Sequence, residues 1–268
     1  MPIIAVMNRK GGSGKSTLAT QIAAWYASNE TSVMLGDSDP RRSASSWLSR
    51  RNKSAAPIAT WPNDAGRIYR THSGAPNVVV DTAGGLRGLD LAKQLASVDA
   101  IVVPVGPSVF DTVISIEFLR EIRQHPRIIN GRCEVAVIGM RWPLDALQTW
   151  QRHATPRPLP LLTVIAEAPI YRLCLESGSS IFEDRAQAHR SDLLQWQPLL
   201  DWLDNLPQAG QARAPVVPVL PPKTTESSPW FHSAGMFSHP GASQRHVEKR
   251  QAQSPESFAD TMPPDSLC

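Results

Sequence analysis

The feature that most constrains this chain is a short apolar run that leads through a glycine-rich basic loop into a helical pattern. The run is Ile3–Met7, and the loop reads Asn8-Arg9-Lys10-Gly11-Gly12-Ser13-Gly14-Lys15-Ser16-Thr17. Apolar residues then recur at helical spacing, at Leu18, Ile22, Trp25 and Tyr26. The chain is therefore predicted to begin with a buried strand, a glycine-rich turn and an amphipathic helix.

Further apolar runs follow, separated by helical patterns. They lie at 32–35, 78–80, 101–103, 135–138 and 162–165, and each is typical of a strand buried on both faces. A last helix is expected over 191–205, with apolar positions at Leu193, Leu194, Leu199, Leu200 and Leu203. Strands that alternate with helices pair in parallel through right-handed crossovers. The sequence predicts a three-layer α/β domain with a mostly parallel central sheet, whose ligands bind beyond the carboxyl ends of the strands.

Proline use divides the chain into two regions. Residues 207–268 hold ten of the 24 prolines, and their basic and acidic residues balance, so the net charge of +3 belongs to 1–206. Such a tail has too few apolar residues to bury a core. We expect a folded domain over 1–206 and a disordered, proline-rich tail over 207–268.

The loop after the first strand has the residue types of a phosphate site. Its glycines allow the backbone to wrap closely around a polyphosphate, and the following helix adds the positive end of its dipole. Lys15 is expected to contact the β and γ phosphates, and the Ser16 hydroxyl to ligate Mg²⁺. The alternative, a plain turn between a strand and a helix, does not require these residue types at this spacing. The predicted nucleotide-binding residues are Lys10, Gly11, Gly12, Ser13, Gly14, Lys15, Ser16 and Thr17.

These residues also carry a family resemblance. The segment from Lys10 to Ser16 resembles the deviant Walker A motif of the ParA/MinD family of ATPases, in which an additional lysine precedes the double glycine. The more general pattern GxxxxGK[ST] is not met in full, because Arg9 stands at its first glycine. Three other stretches agree: 37–40 (DSDP) is similar to the DxDP element, 78–81 (VVVD) to the Walker B strand, and 107–111 (PSVFD) to the PSxxD segment of small plasmid-partition ParA proteins. The resemblance covers about 1–205 and implies a P-loop NTPase fold.

Carboxylates follow two of the predicted strands. Asp81 ends an apolar strand, which places its carboxylate beside the phosphate loop, where it can hold Mg²⁺-bound water; the alternative is a helix cap or turn residue. The resemblance implies that Asp39 positions the attacking water and that Asp37 supports the Mg²⁺ shell. The alternative for Asp39 is that Asp39-Pro40 simply opens a turn. The expected cofactors are ATP and Mg²⁺, with Ser16, Asp37 and Asp81 around the metal.

Lys10 decides what kind of ATPase is expected. Taken alone, it could be a solvated lysine in a polar loop. In the resembling family, this lysine reaches across a dimer interface to the partner's nucleotide, so that two subunits enclose two ATP molecules. The resemblance therefore implies a homodimer that forms on ATP binding, with Lys10, Lys15 and Asp39 as catalytic residues. Gly84 and Gly85 give the loop after Asp81 the freedom that a γ-phosphate-sensing switch requires.

Partition-type relatives bind DNA without sequence preference as ATP dimers, and basic residues are the sequence support for that here. They are Arg41, Arg42, Arg50, Arg51 and Lys53, with Arg152, Arg157, Arg172, Arg185 and Arg190 further along; the alternative is an ordinary solvated face. Two departures from the family weaken the assignment of other contacts. Gly36 replaces an apolar strand residue. Met140-Arg141 stands where a base-contacting Asn often lies in the family, so adenine is expected to be recognised by the backbone and by residues 168–170.

The first functional hypothesis is a bacterial, cytoplasmic partition or positioning ATPase that binds DNA non-specifically and is reset by a separate activator protein. It would be associated with the nucleoid when DNA is bound. The alternative is a nucleotide-gated adaptor for a conjugation, secretion or polysaccharide-synthesis complex. A reductase of the nitrogenase iron-protein type is disfavoured as an interpretation. Such a protein needs paired cysteine ligands for its cluster, and Cys133 and Cys174 do not follow the switch segments as that cluster would require. Membrane attachment is not expected, because the proline-broken tail offers no basic amphipathic helix.

Overall fold

A parallel β-sheet is the centre of the computed structural model, which describes residues 2–61, 77–143, 159–183 and 188–207. The described strands lie in the order β3-β2-β4-β1-β5-β6-β7, and each pairs in parallel with its neighbours. They are β1 Ile3–Val6, β2 Val33–Asp37, β3 Ala59–Thr60, β4 Asn77–Asp81, β5 Ala100–Val105, β6 Glu134–Trp142 and β7 Thr163–Ala166. The expected parallel sheet is confirmed, and the two-residue edge strand β3 is an addition to it.

Helices cover both faces of this sheet. Those within the described residues are α1 Lys15–Ser28, α2 Ser43–Ser49, α3 Gly88–Leu95, α4 Val109–Ile122, α5 Pro126–Ile129, α6 Pro169–Ser177 and α7 Arg190–Asp204. One apolar cluster joins α1, α2, α6 and α7 to the side chains of Ile4 and Val6, while the other joins α3, α4 and α5 to those of Ile3 and Ala5. Alternate residues of β1 therefore serve opposite faces, which confirms the three-layer arrangement.

The last helix packs on the sheet through a different set of residues from the one expected. Leu199 and Leu203 are buried as predicted, but Leu194 is 60% exposed. Trp196 is fully buried instead, and its indole N–H donates to the Tyr171 hydroxyl at 2.9 Å. The reason is the helical period, which places Trp196 on the face of Leu199 and Leu203 and turns Leu194 away.

Helix α7 also binds the edge of the sheet through hydrogen bonds. The side-chain oxygen of Gln195 accepts from the backbone N–H of Ala166 at 2.6 Å, and the Thr163 hydroxyl donates to the Gln195 carbonyl at 2.8 Å. Both partners belong to the edge strand β7. The main-chain donor that this strand presents at Ala166 is therefore already occupied.

Gly36, the unexpected residue in β2, makes room for a tryptophan. A Cβ atom at Gly36 would lie 2.9 Å from Cδ1 of Trp61, which is closer than side-chain contacts normally come. The Trp61 backbone N–H donates to the Leu35 carbonyl at 2.9 Å, which fixes the indole against the strand. Trp61 thus supplies the apolar surface that the sequence pattern lacks at position 36.

The proline-rich tail lies outside the described residues from 208 onward, so its expected disorder and the boundary at 206 stay predictions. No helix in the described ranges has the length and apolar character needed to cross a membrane. What matters for function is the carboxyl edge of the sheet, where the loops after β1, β2, β4, β5 and β6 meet.

Candidate functional site

The loop between β1 and α1 has the backbone of an anion site. Gly12 and Gly14 adopt left-handed conformations, with φ of 70° and 100°, which residues with a side chain rarely adopt. Gly14 is also the N-cap residue of α1, and no side chain caps the helix there. The first N–H groups of a fourteen-residue helix therefore have no side-chain acceptor and remain available to a phosphate.

Lys15 points back into this loop from the first turn of α1. Its side chain is buried, and its ammonium group donates to the Lys10 carbonyl at 3.0 Å. Burial lowers the pKa of Lys15, and the nearby carboxylates of Asp81 and Asp39 oppose that shift. A cation with one backbone acceptor, enclosed by a glycine-rich loop, is well placed to neutralise a bound phosphate.

Asp81 is the polar group of the site that most clearly lacks a partner. The residue is 1% exposed, and neither carboxylate oxygen accepts a hydrogen bond of normal geometry from the described residues. Burial, reinforced by Asp37 and Asp39, raises the pKa of Asp81 to about 7, although the Ser16 hydroxyl and Lys15 lie close enough to oppose the rise. An unpaired buried carboxylate beside a hydroxyl is a donor set that suits Mg²⁺. The residues present therefore fit a metal held jointly with nucleotide phosphates.

Asp37 lies next to Asp81 in the sheet but is engaged differently. The two residues are paired in the register of β2 with β4. One Asp37 oxygen accepts from the backbone N–H of Asp39 at 3.1 Å, and the other accepts from that of Ser45 at 2.8 Å. Asp37 thus holds the loop after β2 against the start of α2, and its predicted place in the Mg²⁺ shell stays a prediction.

Asp39 is half-buried and forms a local turn. Its Oδ1 accepts from the backbone N–H of Arg41 at 2.9 Å, and its carbonyl accepts from that of Arg42 at the same distance. This is the turn-forming role that Asp-Pro sequences often have. The Asp39 carboxylate also lies close enough to Lys15 and Asp81 to affect the pKa of each. Its predicted role in positioning water stays a prediction.

The loop after β4 lies against the phosphate loop. The Gly85 N–H donates to the Arg9 carbonyl at 2.9 Å, and a Cβ atom at Gly84 would lie 3.5 Å from Nζ of Lys15. Gly85 has a φ of 80°, which the absence of a side chain permits. The expected switch segment is therefore in direct contact with the residues that would bind nucleotide.

Lys10 forms an ion pair with Asp111, at the start of α4. Asp111 and Ser108 cap α4 reciprocally: the Ser108 hydroxyl accepts from the Asp111 N–H, and the Asp111 carboxylate accepts from the Ser108 N–H. Burial acts to raise the pKa of Asp111, but the hydrogen bonds from Lys10 and Ser108 outweigh it, and the pKa is lowered. The motif comparison identified both segments, but it did not indicate that they bind each other.

Asn8 is a loop residue whose role the sequence did not indicate. It is 3% exposed, and its amide donates to the Pro104 carbonyl at 2.7 Å and to the Ser115 hydroxyl at 2.9 Å. Its side-chain oxygen accepts from the Lys10 backbone N–H at 3.2 Å. Asn8 therefore ties the phosphate loop to the end of β5 and to α4.

One member of the expected DNA-contacting group proves to be internal. Arg51 has a side chain only 6% exposed, is paired with Glu183, and lies 5.0 Å from the ring centroid of Trp47. It also donates to the carbonyls of Ala56 and Gly178. The expectation that Arg51 contacts DNA is therefore wrong, because these partners hold the guanidinium inside the fold. Four members of the group remain on the surface: Arg41, Arg42, Arg50 and Lys53.

The end of β6 borders the phosphate loop from the other side. The buried Met140 lies against Gly14, where a Cβ atom would come within 3.3 Å of its Cε. The Arg141 guanidinium donates to the Gly12 carbonyl, a contact that the sequence did not indicate. The expected adenine contact at 168–170 lies at the start of α6 and stays a prediction. Arg152, Arg157 and Arg185 lie outside the described residues.

The two cysteines of the described ranges are both buried, on opposite faces of the sheet. Cys133 belongs to the cluster with α3 and α4, and Cys174 to the cluster with α1 and α7. Burial raises the pKa of the Cys133 thiol to about 12, which keeps it protonated. Within one chain, these thiols do not form a pair of metal ligands.

Comparison with known families gives a match over most of the chain. The model of the CobQ/CobB/MinD/ParA nucleotide binding domain matches residues 4–193. Among curated relatives, a maintenance of carboxysome distribution protein A from Gloeobacter kilaueensis is 36% identical over 118 residues, which are 43% of this chain and 54% of the relative. Protein ParA from Rhizobium radiobacter is 25% identical over 52% of this chain and 64% of the relative. The chain thus matches between half and two thirds of the length of these two relatives.

A third relative is matched over more of its length. The maintenance of carboxysome distribution protein A from Halothiobacillus neapolitanus is 28% identical over 67% of this chain and 86% of the relative's length.

Solved structures show the same fold. The MinC:MinD cell division protein complex from Aquifex aeolicus aligns with a TM-score of 0.58 and 15% identity, over 79% of this chain and 99% of the other. The ATP complex of a McdA variant from Cyanothece aligns with a TM-score of 0.55 and 16% identity, over 79% and 99%. At these identities the likeness establishes the fold alone, which is the P-loop fold expected from the sequence.

Proposed function

We propose that this chain, which belongs to the CobQ/CobB/MinD/ParA family of nucleotide-binding domains, is an ATP-hydrolysing positioning protein that dimerises when it binds ATP. The observation that carries the proposal is that a glycine-lined helix start without a side-chain cap lies beside the buried carboxylate of Asp81, which has no hydrogen-bond partner of normal geometry among the described residues. The first suits a polyphosphate, and the second suits the cation that accompanies it.

Each residue then has a defined part in hydrolysis. The loop from Gly11 to Gly14 and the ammonium of Lys15 bind the β and γ phosphates. Ser16 and Asp81 would hold Mg²⁺, which would neutralise charge on the phosphates. Asp39 orients a water molecule for attack on the γ-phosphorus, the bond to the bridging oxygen breaks, and ADP and phosphate leave. The contact between Gly85 and Arg9 places the loop after β4 where loss of the γ-phosphate can change its position.

Dimerisation is supported by what surrounds Lys10. In the single chain its ammonium is paired with Asp111, so it is held at the edge of the phosphate loop and not inside it. Beside Asp111, α4 exposes Val109, Phe110 and Val113, with Phe110 77% exposed. Their spacing places these three side chains on one exposed face of the helix. We infer that this apolar face meets a second copy of the chain when Lys10 reaches the partner's nucleotide.

DNA is the proposed surface on which the dimer acts. The exposed Arg41 and Arg42 lie in the loop that holds Asp39, which borders the phosphate loop. The exposed Arg50 and Lys53 follow helix α2, into which that loop leads. Two copies double this charge, and each phosphate neutralised adds roughly 0.9 to the log–log salt slope. One relative is named for the maintenance of carboxysome distribution and another is named Protein ParA. We propose that the cargo is a replicon or a protein assembly of the bacterial cytoplasm.

The experiment is DNA retention by the purified chain with ATP, with ADP and without nucleotide, at about 50 mM and about 200 mM salt. Retention is expected with ATP but not with ADP or without nucleotide, and it is expected to be lost at the higher salt. Removing two surface charges in Arg41→Ala/Lys53→Ala should weaken retention. The matched control Lys93→Ala/Arg132→Ala removes two charges elsewhere on the surface and should have no effect.

The alternative, a nucleotide-gated adaptor that reads out ATP through a protein partner, predicts a different result. The chain would then dimerise with ATP, with Phe110 contributing, but would bind DNA equally weakly in all three nucleotide states. That outcome would replace the DNA-based proposal and leave the ATP cycle in place. Lys10→Ala should abolish the ATP-dependent dimer in either case, as measured by light scattering after size exclusion.

A further inference from the structure

Arg141 occupies an irregular position at the end of β6. In the pairing with β7, Met140 lies opposite Ile165 and Trp142 opposite Ala166, so Arg141 is an extra residue in a β-bulge. Its φ is 58°, which is unusual for a residue with a side chain. Bulges commonly re-aim a side chain next to a functional site, and a left-handed conformation persists only where the surroundings impose it.

The residues on each side of the bulge are held firmly. Met140 is 1% exposed and lies against Gly14 of the phosphate loop. The Trp142 indole N–H donates to the Val105 carbonyl at 3.2 Å, and the Trp142 carbonyl accepts from the Glu167 N–H at 3.0 Å. The direction of the Arg141 side chain is therefore set by the packing of its neighbours.

The Arg141 guanidinium reaches the phosphate loop and donates to the Gly12 carbonyl. The residue itself is exposed, and it forms no ion pair with any residue in the described part of the chain. Neither burial nor charge pairing accounts for an arginine in a strained conformation here. Among the described residues, the hydrogen bond to the Gly12 carbonyl is the side-chain interaction that the structure gives for Arg141.

We propose that Arg141 is a positioning residue for nucleotide binding, acting through the peptide between Gly12 and Ser13. In a trans peptide the C=O and N–H point in opposite directions, so holding the Gly12 carbonyl toward Arg141 turns the Ser13 N–H away from it, toward the space that the loop encloses. A charged donor on the carbonyl also polarises the peptide and strengthens its N–H as a donor. The Ser13 N–H is thereby oriented and activated for a nucleotide phosphate before the nucleotide arrives.

This inference rests on nucleotide binding at the phosphate loop, and it is independent of dimerisation and of DNA. Its test is calorimetric titration of the full chain with Mg-ADP. Arg141→Gly is the informative variant, because glycine adopts the left-handed conformation without strain, so the bulge is preserved and only the guanidinium is lost. The thermal midpoint of the nucleotide-free protein should be unchanged or higher, while the dissociation constant for Mg-ADP should rise roughly tenfold.

Three companion measurements separate positioning from a structural role. Arg141→Lys retains a charged donor and should lose no more than about threefold in affinity. Guanidinium ion at low millimolar concentration should restore part of the affinity of Arg141→Gly. Glu30→Gly, which also places glycine at an exposed left-handed residue, should bind Mg-ADP as the wild type does.

Wild-type affinity in Arg141→Gly would overturn this inference alone. A fall in the thermal midpoint of both Arg141 variants, in step with their affinity, would overturn it in favour of a structural role. Absence of Mg-ADP binding by the wild-type chain would overturn the proposed function and this inference together.

Discussion

Lys10 and Asp111 join the phosphate loop to the first turn of α4 through an ion pair within one chain. The lysine proposed to act on a partner's nucleotide is thus held by its own subunit when that subunit is alone. Dimerisation requires the exchange of one set of contacts for another. In the proposed dimer, Asp111 would therefore compete with the second subunit for Lys10.

Asp111→Asn is expected to favour the ATP-bound dimer, because it removes the charge that holds Lys10 while an amide oxygen still accepts from Ser108. A partly exposed ion pair contributes up to about 1 kcal/mol, and each dimer releases two such pairs. The dimer dissociation constant should therefore be lower by a factor of up to about thirty. Sedimentation over a range of protein concentrations measures it. Ser108→Ala weakens the same helix cap without freeing Lys10, so it should not favour the dimer.

Lys15→Ala is expected to raise the dissociation constant for Mg-ADP about a hundredfold, because it removes the charged donor inside the loop. Isothermal titration calorimetry measures the effect. Lys10→Ala serves as the control, because it removes a neighbouring lysine whose side chain pairs with Asp111. The affinity of the monomer for Mg-ADP should then change by less than about threefold. Equal losses in the two variants would contradict the distinct roles assigned to them.

Asp39→Asn and Asp39→Ala together separate the two roles of Asp39. Asparagine can still accept from the Arg41 N–H and so preserves the turn, whereas alanine cannot. If the carboxylate orients water, both variants should lose at least about a hundredfold in ATP hydrolysis while Mg-ATP binding persists. Phosphate release measures the rate. If Asp39→Asn hydrolyses ATP at a near-normal rate while Asp39→Ala does not, the role of Asp39 is to form the turn and not to orient water.

Asp81→Asn is expected to stabilise the nucleotide-free protein, and to do so increasingly as pH rises. Because the pKa of Asp81 is raised from 3.8 to about 7 on folding, the folded chain binds a proton that the unfolded chain has released between those values. The contribution of this residue to stability is therefore lost progressively as pH rises through that range, and the loss is complete above it. Urea unfolding in chelator at pH 5 and at pH 8 should show a larger gain for the variant at pH 8. A gain that does not depend on pH would contradict the unpaired carboxylate.

Gly36→Ala is expected to destabilise the fold by about 1–3 kcal/mol, because the added methyl group meets the Trp61 indole and overpacks the site. This outweighs the modest benefit of replacing a strand glycine. Urea unfolding followed by tryptophan fluorescence measures it. At Gly11 a Cβ atom would meet nothing within 4 Å, so Gly11→Ala should leave nucleotide-free stability within about 0.5 kcal/mol of wild type.

The parts of the fold that the sequence predicted are those set by neighbours along the chain. The run Ile3–Met7 followed by glycines and a helical period requires a strand, a tight loop and a helix, and parallel pairing then brings Asp37 and Asp81 to one edge. These inferences need local spacing and the geometry of parallel sheets, and no knowledge of distant contacts.

The contacts that escaped prediction depend on residues far apart in sequence. The sequence indicates a surface charge at Arg51. Its partner Glu183, which holds it inside the fold, lies 132 positions further along the chain. Trp196 is a different case, because it shares the helical face of Leu199 and Leu203, and helical spacing alone favours it over Leu194 in the core. The bulge at Arg141 depends on how β6 pairs with β7, and the residues next to Arg141 in sequence do not indicate that pairing.

The hydrogen bonds between α7 and β7 limit how copies of this protein can associate. An open sheet margin normally invites a strand from another molecule, and such additions lead to swapped or fibrous aggregates. Here the amide of Ala166 is already satisfied by Gln195, so no incoming strand can use that donor without first displacing the helix. At this edge of the sheet, the proposed ATP-dependent dimer would therefore meet through side-chain surfaces, from which its subunits could separate again after each turnover.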